Sequence, residues 1–192
     1  FWAGGKIRRV DMPGNAREIP FRVSDPRDVI APPRPEVAVA PAEFDTAMPR
    51  FAAVSPNGRQ AGFESLGKLW IRALPDGAPR RLTSDNSGDF EFFPAWSRDG
   101  SRIVFVQWSD EALGRIRTVA ASGGGARDVT GEPEHYRRPQ FSPDGRLIVF
   151  EKGAGGHLLS DRWSKLTGVF RIPASGGAMT KVTDTGAAPH FG

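Results

Sequence analysis

Hydrophobic positions in this chain form short runs, and turn residues interrupt every run. Largely apolar runs lie at 60–63, 103–106 and 147–150. Ile, Val and Phe dominate the last two of these runs. Runs of this length and composition, bounded by turn residues, predict buried β-strands.

A second kind of segment follows each run, in which apolar and polar residues alternate. These segments lie at 68–72, 115–119 and 169–172. Alternation with a period of two predicts a strand that buries one face. Asn-Gly, Asp-Gly and Gly-Gly pairs flank the predicted strands, and such pairs favour tight hairpins. We therefore predict that consecutive strands pair in the antiparallel sense.

The elements recur in the same order, so the chain contains an internal repeat. The repeats begin at Pro49, Pro94, Pro139 and Pro189, which are 45, 45 and 50 residues apart. This period suits a propeller blade of four strands.

The repeats align as Pro49–Arg59, Pro94–Ser101 and Pro139–Arg146, and the first has three extra residues between its aromatic residue and its serine. The aromatic residue that begins each blade recurs in register, and so does the phenylalanine that ends each second strand. Because inter-sheet packing requires such regularity, we expect these side chains to be buried. They are Phe51, Trp96, Phe141, Phe63, Phe105 and Phe150.

The sequence thus predicts an all-β fold, a β-propeller of four-stranded antiparallel blades that is incomplete in this chain. The predicted parts are a partial blade at 1–23, whole blades at 49–93, 94–138 and 139–188, and the start of another blade at 189–192. The proline-rich segment 24–48 is expected to be an inter-blade linker, with at most a short edge strand at Val37–Val39. The two end segments are either parts of one closing blade or cuts within a larger ring.

The repeated unit carries a motif that can be compared with known repeats. It reads Pro-x-aromatic-Ser-Pro-Asp-Gly, then Ile-Val-Phe, Gly-Gly and Leu-Thr, and it resembles the TolB-like propeller repeat, also called PD40 or WD40-like. Asp99 and Asp144 match the aspartate of that motif, while Asn57 departs from it. Arg98 replaces the usual proline. We expect Asn57, Asp99 and Asp144 to be structural turn residues that accept amide hydrogen bonds, with metal binding as the alternative.

The resemblance also has implications for function. Repeats of this kind occur in the periplasmic protein TolB, in tricorn-type and prolyl-oligopeptidase-type peptidases, and ahead of the catalytic domain in some secreted amidohydrolases. The segments 67–70, 74–77, 90–97 and 134–136 look most like the last group. The resemblance implies a periplasmic or secreted location, and it implies that the amidohydrolase metal ligands lie in another domain.

Composition and charge narrow the possible partners. The net charge is +4, and 21 of the 26 basic residues are arginines scattered along the chain. Because a nucleic-acid-binding domain gathers its basic residues into a patch or stripe, we expect no nucleic-acid partner. No apolar run reaches the length of about 18 residues that a membrane span needs. The absence of cysteine excludes disulfides, thiolate metal sites and a cysteine nucleophile.

Candidate catalytic and metal-binding residues are sparse. The histidines are His135, His157 and His190, which lie far apart in the sequence. A catalytic metal site needs several such ligands that converge on one point. The nucleophile elbow Gly-x-Ser-x-Gly is absent from the sequence. We therefore expect no catalytic residue, no metal site and no cofactor in this chain.

A binding rim is expected where the outer strand of one blade connects to the inner strand of the next. These connections include Asp85–Phe93 and Gly131–Arg138. Such loops rise on one face of a propeller, and aromatic residues with arginine dominate contact energies at interfaces. The predicted rim consists of Phe90, Phe92, His135, Tyr136, Arg137 and Arg138. The alternative is local, with inter-blade packing by the phenylalanines and a hydrogen bond between Tyr136 and a nearby carbonyl.

Two hypotheses for function follow from these observations. In the first, the chain is a non-catalytic propeller segment that caps or orients the catalytic domain of a larger, exported hydrolase of the amidohydrolase type, which cleaves C–N bonds. In the second, it is a TolB-like protein–protein interaction module of the bacterial periplasm. An autonomous enzyme with its site in the propeller channel has the least support. The expected partner is therefore a neighbouring catalytic domain or another protein.

Overall fold

Every regular element in the described part of the chain is a β-strand. The computed structural model describes residues 1–34, 41–153 and 167–191. Its strands are β1 (Trp2–Ala3), β2 (Lys6–Asp11), β3 (Asn15–Glu18), β4 (Arg50–Val54), β5 (Gln60–Ser65), β6 (Lys68–Ala73), β7 (Arg80–Arg81), β8 (Phe90–Trp96), β9 (Arg102–Ser109), β10 (Leu113–Ala120), β11 (Arg127–Asp128), β12 (His135–Phe141), β13 (Leu147–Gly153), β14 (Gly168–Pro173) and β15 (Thr180–Thr183). The prediction of an all-β fold is confirmed. The edge strand expected at Val37–Val39 lies outside the described residues.

The chain divides into two units, Phe1–Glu43 and Phe44–Gly192. The first unit contains one three-stranded antiparallel sheet, in the order β1-β2-β3. The second contains three four-stranded sheets, formed by β4–β7, β8–β11 and β12–β15, and we call these blades 1, 2 and 3. Each strand of a blade pairs antiparallel with the next strand along the chain. The prediction of four-stranded antiparallel blades is confirmed. Within the described ranges, no helix is long and apolar enough to cross a membrane.

Side chains between neighbouring blades form the hydrophobic core. One cluster joins blades 1 and 2, where Phe105 lies with Leu69 and Leu82. A second cluster joins blades 2 and 3, where Phe150 lies with Ile116. Phe105 and Phe150 are completely buried, as predicted. Burial of one phenylalanine side chain contributes about 1.5–3 kcal/mol, so these contacts hold neighbouring blades together.

Residues in the left-handed backbone region mark equivalent positions of the repeat. They are Phe51, Phe93, Arg138 and Ala188, with φ angles of 52°, 54°, 47° and 50°. In blades 1, 2 and 3 this residue lies in a β-bulge, where the pairing of the first and second strands shifts register. These positions are 42, 45 and 50 residues apart, which defines the true repeat.

This register corrects the sequence alignment of the first repeat. Ala52 is the equivalent of Pro94 and Pro139, because each follows the left-handed residue. The alignment on Pro49 required an insertion of three residues that the structure does not contain. Phe51 is therefore the residue of the bulge. It is 39% exposed, and the prediction that it is buried is wrong.

The other aromatic residues of the predicted core differ between blades. Phe141 is buried, whereas Trp96 and Phe63 are half-buried. Trp96 donates from Nε1 to the carbonyl of Ala53 in blade 1, at 2.9 Å. Gly62 faces blade 2, since a Cβ atom there would contact Ile103 and Trp96. Strand alternation then turns the neighbouring Phe63 away from blade 2, which leaves its ring partly accessible.

Candidate functional site

The turn between the first and second strands is held by a pair of short polar side chains. In blade 2, the Ser97 hydroxyl donates to Oδ1 of Asp99 at 2.6 Å, and the Ser101 amide donates to the same oxygen at 3.0 Å. The Ser97 Oγ atom also accepts a hydrogen bond from the Arg102 amide at 3.0 Å. These bonds satisfy backbone donors at the point where the chain reverses direction.

The same bonds recur in the other two blades. Asn57 accepts from Ser55 in blade 1, and Asp144 accepts from Ser142 in blade 3. Since asparagine supplies the same oxygen without a charge, the turn requires an acceptor and not an anion. The pKa of Asp99 is lowered to about 2 by hydrogen bonds, chiefly the one from the Ser97 hydroxyl. The pKa of Asp144 is also lowered, mainly by the hydrogen bond from the Ser142 hydroxyl. Among the described residues, no group of His, Asp or Glu side chains could hold a metal ion.

The predicted rim residues lie in strands and not in loops. Phe90 and Phe92 belong to β8, while His135, Tyr136, Arg137 and Arg138 belong to β12. Each of these strands begins four residues before the proline that the repeat alignment used as its start. The loop assignment was wrong because the β-bulge lets the strand continue through the proline. Alternation along the strand then separates the predicted rim into a buried and an accessible set.

Tyr136 belongs to the buried set. It is 3% exposed, and its ring meets the ring of Phe150 edge-on at 5.4 Å. Its hydroxyl donates to the carbonyl of Glu132 at 2.8 Å. Burial raises the pKa of Tyr136 to about 12, and the negative charge of Glu134 acts in the same direction. Its contacts are thus the local ones described by the alternative interpretation.

The residue equivalent to Tyr136 in blade 2 is Glu91, which the sequence analysis did not identify. It is 1% exposed. Its carboxylate accepts hydrogen bonds from the Leu69 amide at 2.8 Å and from the Thr83 hydroxyl at 2.6 Å. Both donors belong to blade 1, so Glu91 links two blades. Its place two residues before the bulge is known only from the structure, so the sequence carries no signal that could have found it.

Two phenylalanines of the accessible set, Phe90 and Phe92, extend an aromatic cluster. The rings of Phe90 and Phe92 are stacked with centroids 6.0 Å apart, and Phe51 lies 6.3 Å from Phe92 and 4.3 Å from Phe93. Phe90 is 48% exposed. It packs over Gly67, where a Cβ atom would come within 2.5 Å of the ring. A glycine in the turn between β5 and β6 therefore allows an aromatic ring to lie on the end of the blade.

Two leucines that the sequence analysis did not single out lie in the hairpins at this end of blades 1 and 2. Leu66 has φ 54° and is 65% exposed, and Leu113 has φ 57° and is 37% exposed. Leu66 immediately precedes Gly67, the glycine over which the Phe90 ring packs. Leu113 is the first residue of β10, and the next residue, Gly114, pairs with Trp108, which in turn pairs with Phe90. We call Leu66, Phe51, Phe90, Phe92 and Leu113 the rim patch. Leucine is not a turn-forming residue, so turn signals in the sequence do not find these positions.

A cavity of about 240 Å³ lies among the inner strands of blades 1, 2 and 3, and Phe51 and Phe92 of the rim patch form part of its wall. Its walls are largely aromatic, and its basic residues are two arginines and a histidine. Trp108 and His135 are in ring contact there, with centroids 4.5 Å apart. The cavity lining includes Phe92, Phe93, Trp108, His135, Arg50 and Arg137.

The arginines of this cavity have different surroundings. Arg50 pairs across the strands with Glu64, whose carboxylate is 2.7 Å from the Arg50 Nε atom and almost fully buried. Arg137 occupies the equivalent place opposite Glu151. The Glu151 carboxylate instead accepts hydrogen bonds from Arg138, at 3.1 Å, and from the backbone amide of Ala188.

A second polar group lies on the outer part of blade 2. Gln107 donates to Asp89 at 2.7 Å and accepts a hydrogen bond from Arg117, which also pairs with Asp85 at 3.1 Å and Asp128 at 2.7 Å. The pKa of Asp85 is lowered to about 2 by hydrogen bonds, chiefly the one that the Ser87 backbone amide donates. Each of these carboxylates accepts a hydrogen bond or forms an ion pair with Arg117 or Gln107, so we assign the group a structural role.

Comparisons with known proteins agree with this architecture. No known family model matches the chain. It is 26% identical over 114 residues to the uncharacterized peptidase YuxL of Bacillus subtilis (strain 168), a match that covers 59% of this chain and 17% of that protein.

Two solved structures extend the comparison to the fold. TolB from Acinetobacter baumannii matches with a TM-score of 0.56 at 18% identity, over 71% of this chain and 32% of that one. An oligogalacturonate lyase in complex with manganese matches with a TM-score of 0.60 at 14% identity, over 75% and 42% of the two chains. The chain therefore has a TolB-like β-propeller fold, and it spans less than half the length of each of these proteins.

Proposed function

We propose that this chain is a non-catalytic propeller module whose rim patch holds a neighbouring protein surface. The observation that carries the proposal is the exposure of Leu66 and Leu113 in left-handed turns. A left-handed conformation costs an ordinary L-residue roughly 1–2 kcal/mol, and Leu66, which is 65% exposed, returns little of this by burial. Folding alone therefore gives no reason for leucine at position 66, and the more covered Leu113 adds a second apolar surface.

The surroundings of the leucines support the same interpretation. Leu66 adjoins Gly67, over which the exposed Phe90 ring packs, and Leu113 precedes Gly114, which pairs with Trp108, the cross-strand partner of Phe90. The Arg50 side chain is accessible at the edge of the patch. Aromatic residues and arginine are enriched where protein interfaces gain most of their contact energy. Interfaces also favour rigid scaffolds, and both turns close hairpins of a paired sheet. A protein surface is thus a better fit than a small polar ligand.

The proposed partner is a catalytic domain carried in the same polypeptide, which the propeller caps or orients. The support is the resemblance of the repeats to those of amidohydrolases and the small share, 17%, of the matched peptidase that this chain spans. The proposed parent is an exported hydrolase, periplasmic or secreted. We assign no catalytic residue, metal, cofactor or nucleic acid to the module itself.

The second candidate is a periplasmic interaction module that binds a separate protein. The fold match to TolB favours it, because that match requires no catalytic domain. Both candidates use the same rim patch. They differ in whether the bound surface belongs to the same polypeptide.

The test replaces both leucines with a residue that suits the backbone better. Asparagine tolerates the left-handed conformation, so Leu66→Asn with Leu113→Asn should leave melting temperature unchanged or raise it. In the full-length protein, we expect the double variant to open the junction between propeller and catalytic domain to limited proteolysis and to lower activity. If a separate protein is bound instead, activity stays constant and chemical crosslinking to that protein is lost. Unchanged proteolysis, activity and crosslinking together would overturn the proposal.

A further inference from the structure

We propose that the cavity among the inner strands of the three blades takes one large apolar side chain of the partner, and that Arg137 pairs with a carboxylate next to that side chain. This inference rests on the proposed function and specifies the chemistry of the bound segment. The segment would carry an acidic group beside an aromatic or long aliphatic residue.

The size and lining of the cavity indicate a single apolar side chain. Its volume of about 240 Å³ is below the range of roughly 300–1,000 Å³ that is usual for pockets of drug-sized ligands. Phe92, Phe93 and Trp108 supply aromatic walls on the blade 2 side. Aromatic pairs prefer offset or edge-to-face contacts, which such walls offer to an inserted ring.

The state of Arg137 indicates the charge of the partner. Arg137 is half-buried, and its guanidinium has no hydrogen bond or ion pair with another residue in the ranges that the structure describes. Its cross-strand neighbour Glu151 is engaged by Arg138 and by the Ala188 amide. A guanidinium that has no partner among the described residues, and whose nitrogens remain accessible to solvent, can form an ion pair with an external anion.

Arg50 provides an internal reference for this argument. It lies at the equivalent place in blade 1 and also faces a glutamate across the strands, but there the pair is formed, at 2.7 Å to Glu64. The arginine at this position is therefore paired with a carboxylate in blade 1, whereas the equivalent arginine of blade 3 has no carboxylate partner among the described residues. The described residues that line the cavity include no aspartate or glutamate, so no carboxylate of the lining competes for Arg137.

A carboxylate fits this place better than a phosphate. One guanidinium forms a bidentate pair with a carboxylate, and the apolar walls favour a ligand whose charge lies beside a hydrophobic group. Phosphate recognition relies on clusters of arginine. Here Arg50 is held by Glu64 and Arg138 is held by Glu151.

The test compares two probes that differ only in charge. N-acetyl-phenylalanine carries a carboxylate beside an aromatic ring, and N-acetyl-phenylalaninamide is its neutral counterpart. Their dissociation constants for the full chain are measured by NMR titration at pH 8, well above the ordinary histidine pKa of about 6.5. We expect the acid to bind about tenfold more tightly than the amide, and we expect Arg137→Gln to remove this preference while the amide still binds.

The control variant is Arg146→Gln, which removes the same charge from an exposed turn at the opposite end of blade 3. It should retain the preference for the acid. Equal binding of the two probes by the unchanged protein would overturn the inference, and so would a preference that survives Arg137→Gln. These results are independent of the rim-patch test, because loss of domain association in the double asparagine variant would uphold the proposed function even if the acid is not preferred.

Discussion

The two ends of each blade are built differently. At one end, the turn between the first and second strands repeats with the same serine and the same acceptor at Asn57, Asp99 and Asp144. At the other end, equivalent positions hold different residues, such as Glu91 in blade 2 and Tyr136 in blade 3. The repeated end maintains the fold, whereas the variable end offers a surface that differs from blade to blade. Candidate function therefore belongs to the end where the repeat is broken.

The largest effect should come from the core that supports both ends. Phe150→Ala should lower the free energy of unfolding by about 3–5 kcal/mol, because it leaves a cavity among fully packed residues. The matched variant is Phe63→Ala, at the equivalent place in blade 1, where the ring is only half-buried. Phe63→Ala should lower the free energy of unfolding clearly less than Phe150→Ala does. Equal losses in urea unfolding of the two variants would contradict the assignment of Phe150 to the interface between blades.

A smaller effect is expected from the repeated turn. Ser97→Ala removes a hydroxyl that donates to Asp99 and accepts the Arg102 amide. Loss of these bonds from a buried serine should lower the free energy of unfolding by about 1–3 kcal/mol. Ser84→Ala, at an exposed position whose hydroxyl makes no hydrogen bond among the described residues, serves as the control and should change stability little. Thermal unfolding monitored by circular dichroism measures both.

The acceptors of the turns predict a dependence on pH. The pKa of Asp99 is lowered to about 2 in the folded protein, from an ordinary 3.8. Its contribution to stability is therefore present above the unfolded value and is lost as pH falls through the range from about 4 to 2. Asp99→Asn imitates Asn57 and should flatten this part of the stability profile while keeping the turn at neutral pH. A profile unchanged by the substitution would contradict the role given to the carboxylate.

The smallest effect on stability, and the largest on association, is expected at the variable end. Leu66→Asn places a turn-forming residue before Gly67, so the melting temperature should stay the same or rise slightly. Ser97→Ala should have the opposite effects, because it should weaken folding without affecting partner binding. A marked fall in the melting temperature of the Leu66 variant would show that the leucine stabilises the fold itself.

Much of the architecture could be read from the sequence because short strands and their turns are local features. Alternation and paired glycines predicted four-stranded antiparallel blades, and Phe105 and Phe150 were correctly placed in the core. The first repeat was misaligned because Pro49 has the same identity as Pro94 but not the same backbone role. A left-handed φ angle defines that role, and Phe51 carries no sequence signal for such an angle.

The sequence also named Phe90, Phe92 and Arg137, but it placed them in loops. Only the tertiary structure decided which of the predicted rim residues face outwards, because a β-bulge sets the phase of alternation and no residue type encodes that bulge. The tertiary structure also decided which arginine each glutamate pairs with. Glu64 and Glu151 occupy equivalent places in the repeat, but Glu64 pairs with Arg50 whereas Glu151 pairs with Arg138. The sequence by itself determined the repeat and its turns, for these depend on neighbours a few residues apart. Pairing between residues of different strands and blades depends on how the sheets pack, and only the tertiary structure decided these pairs.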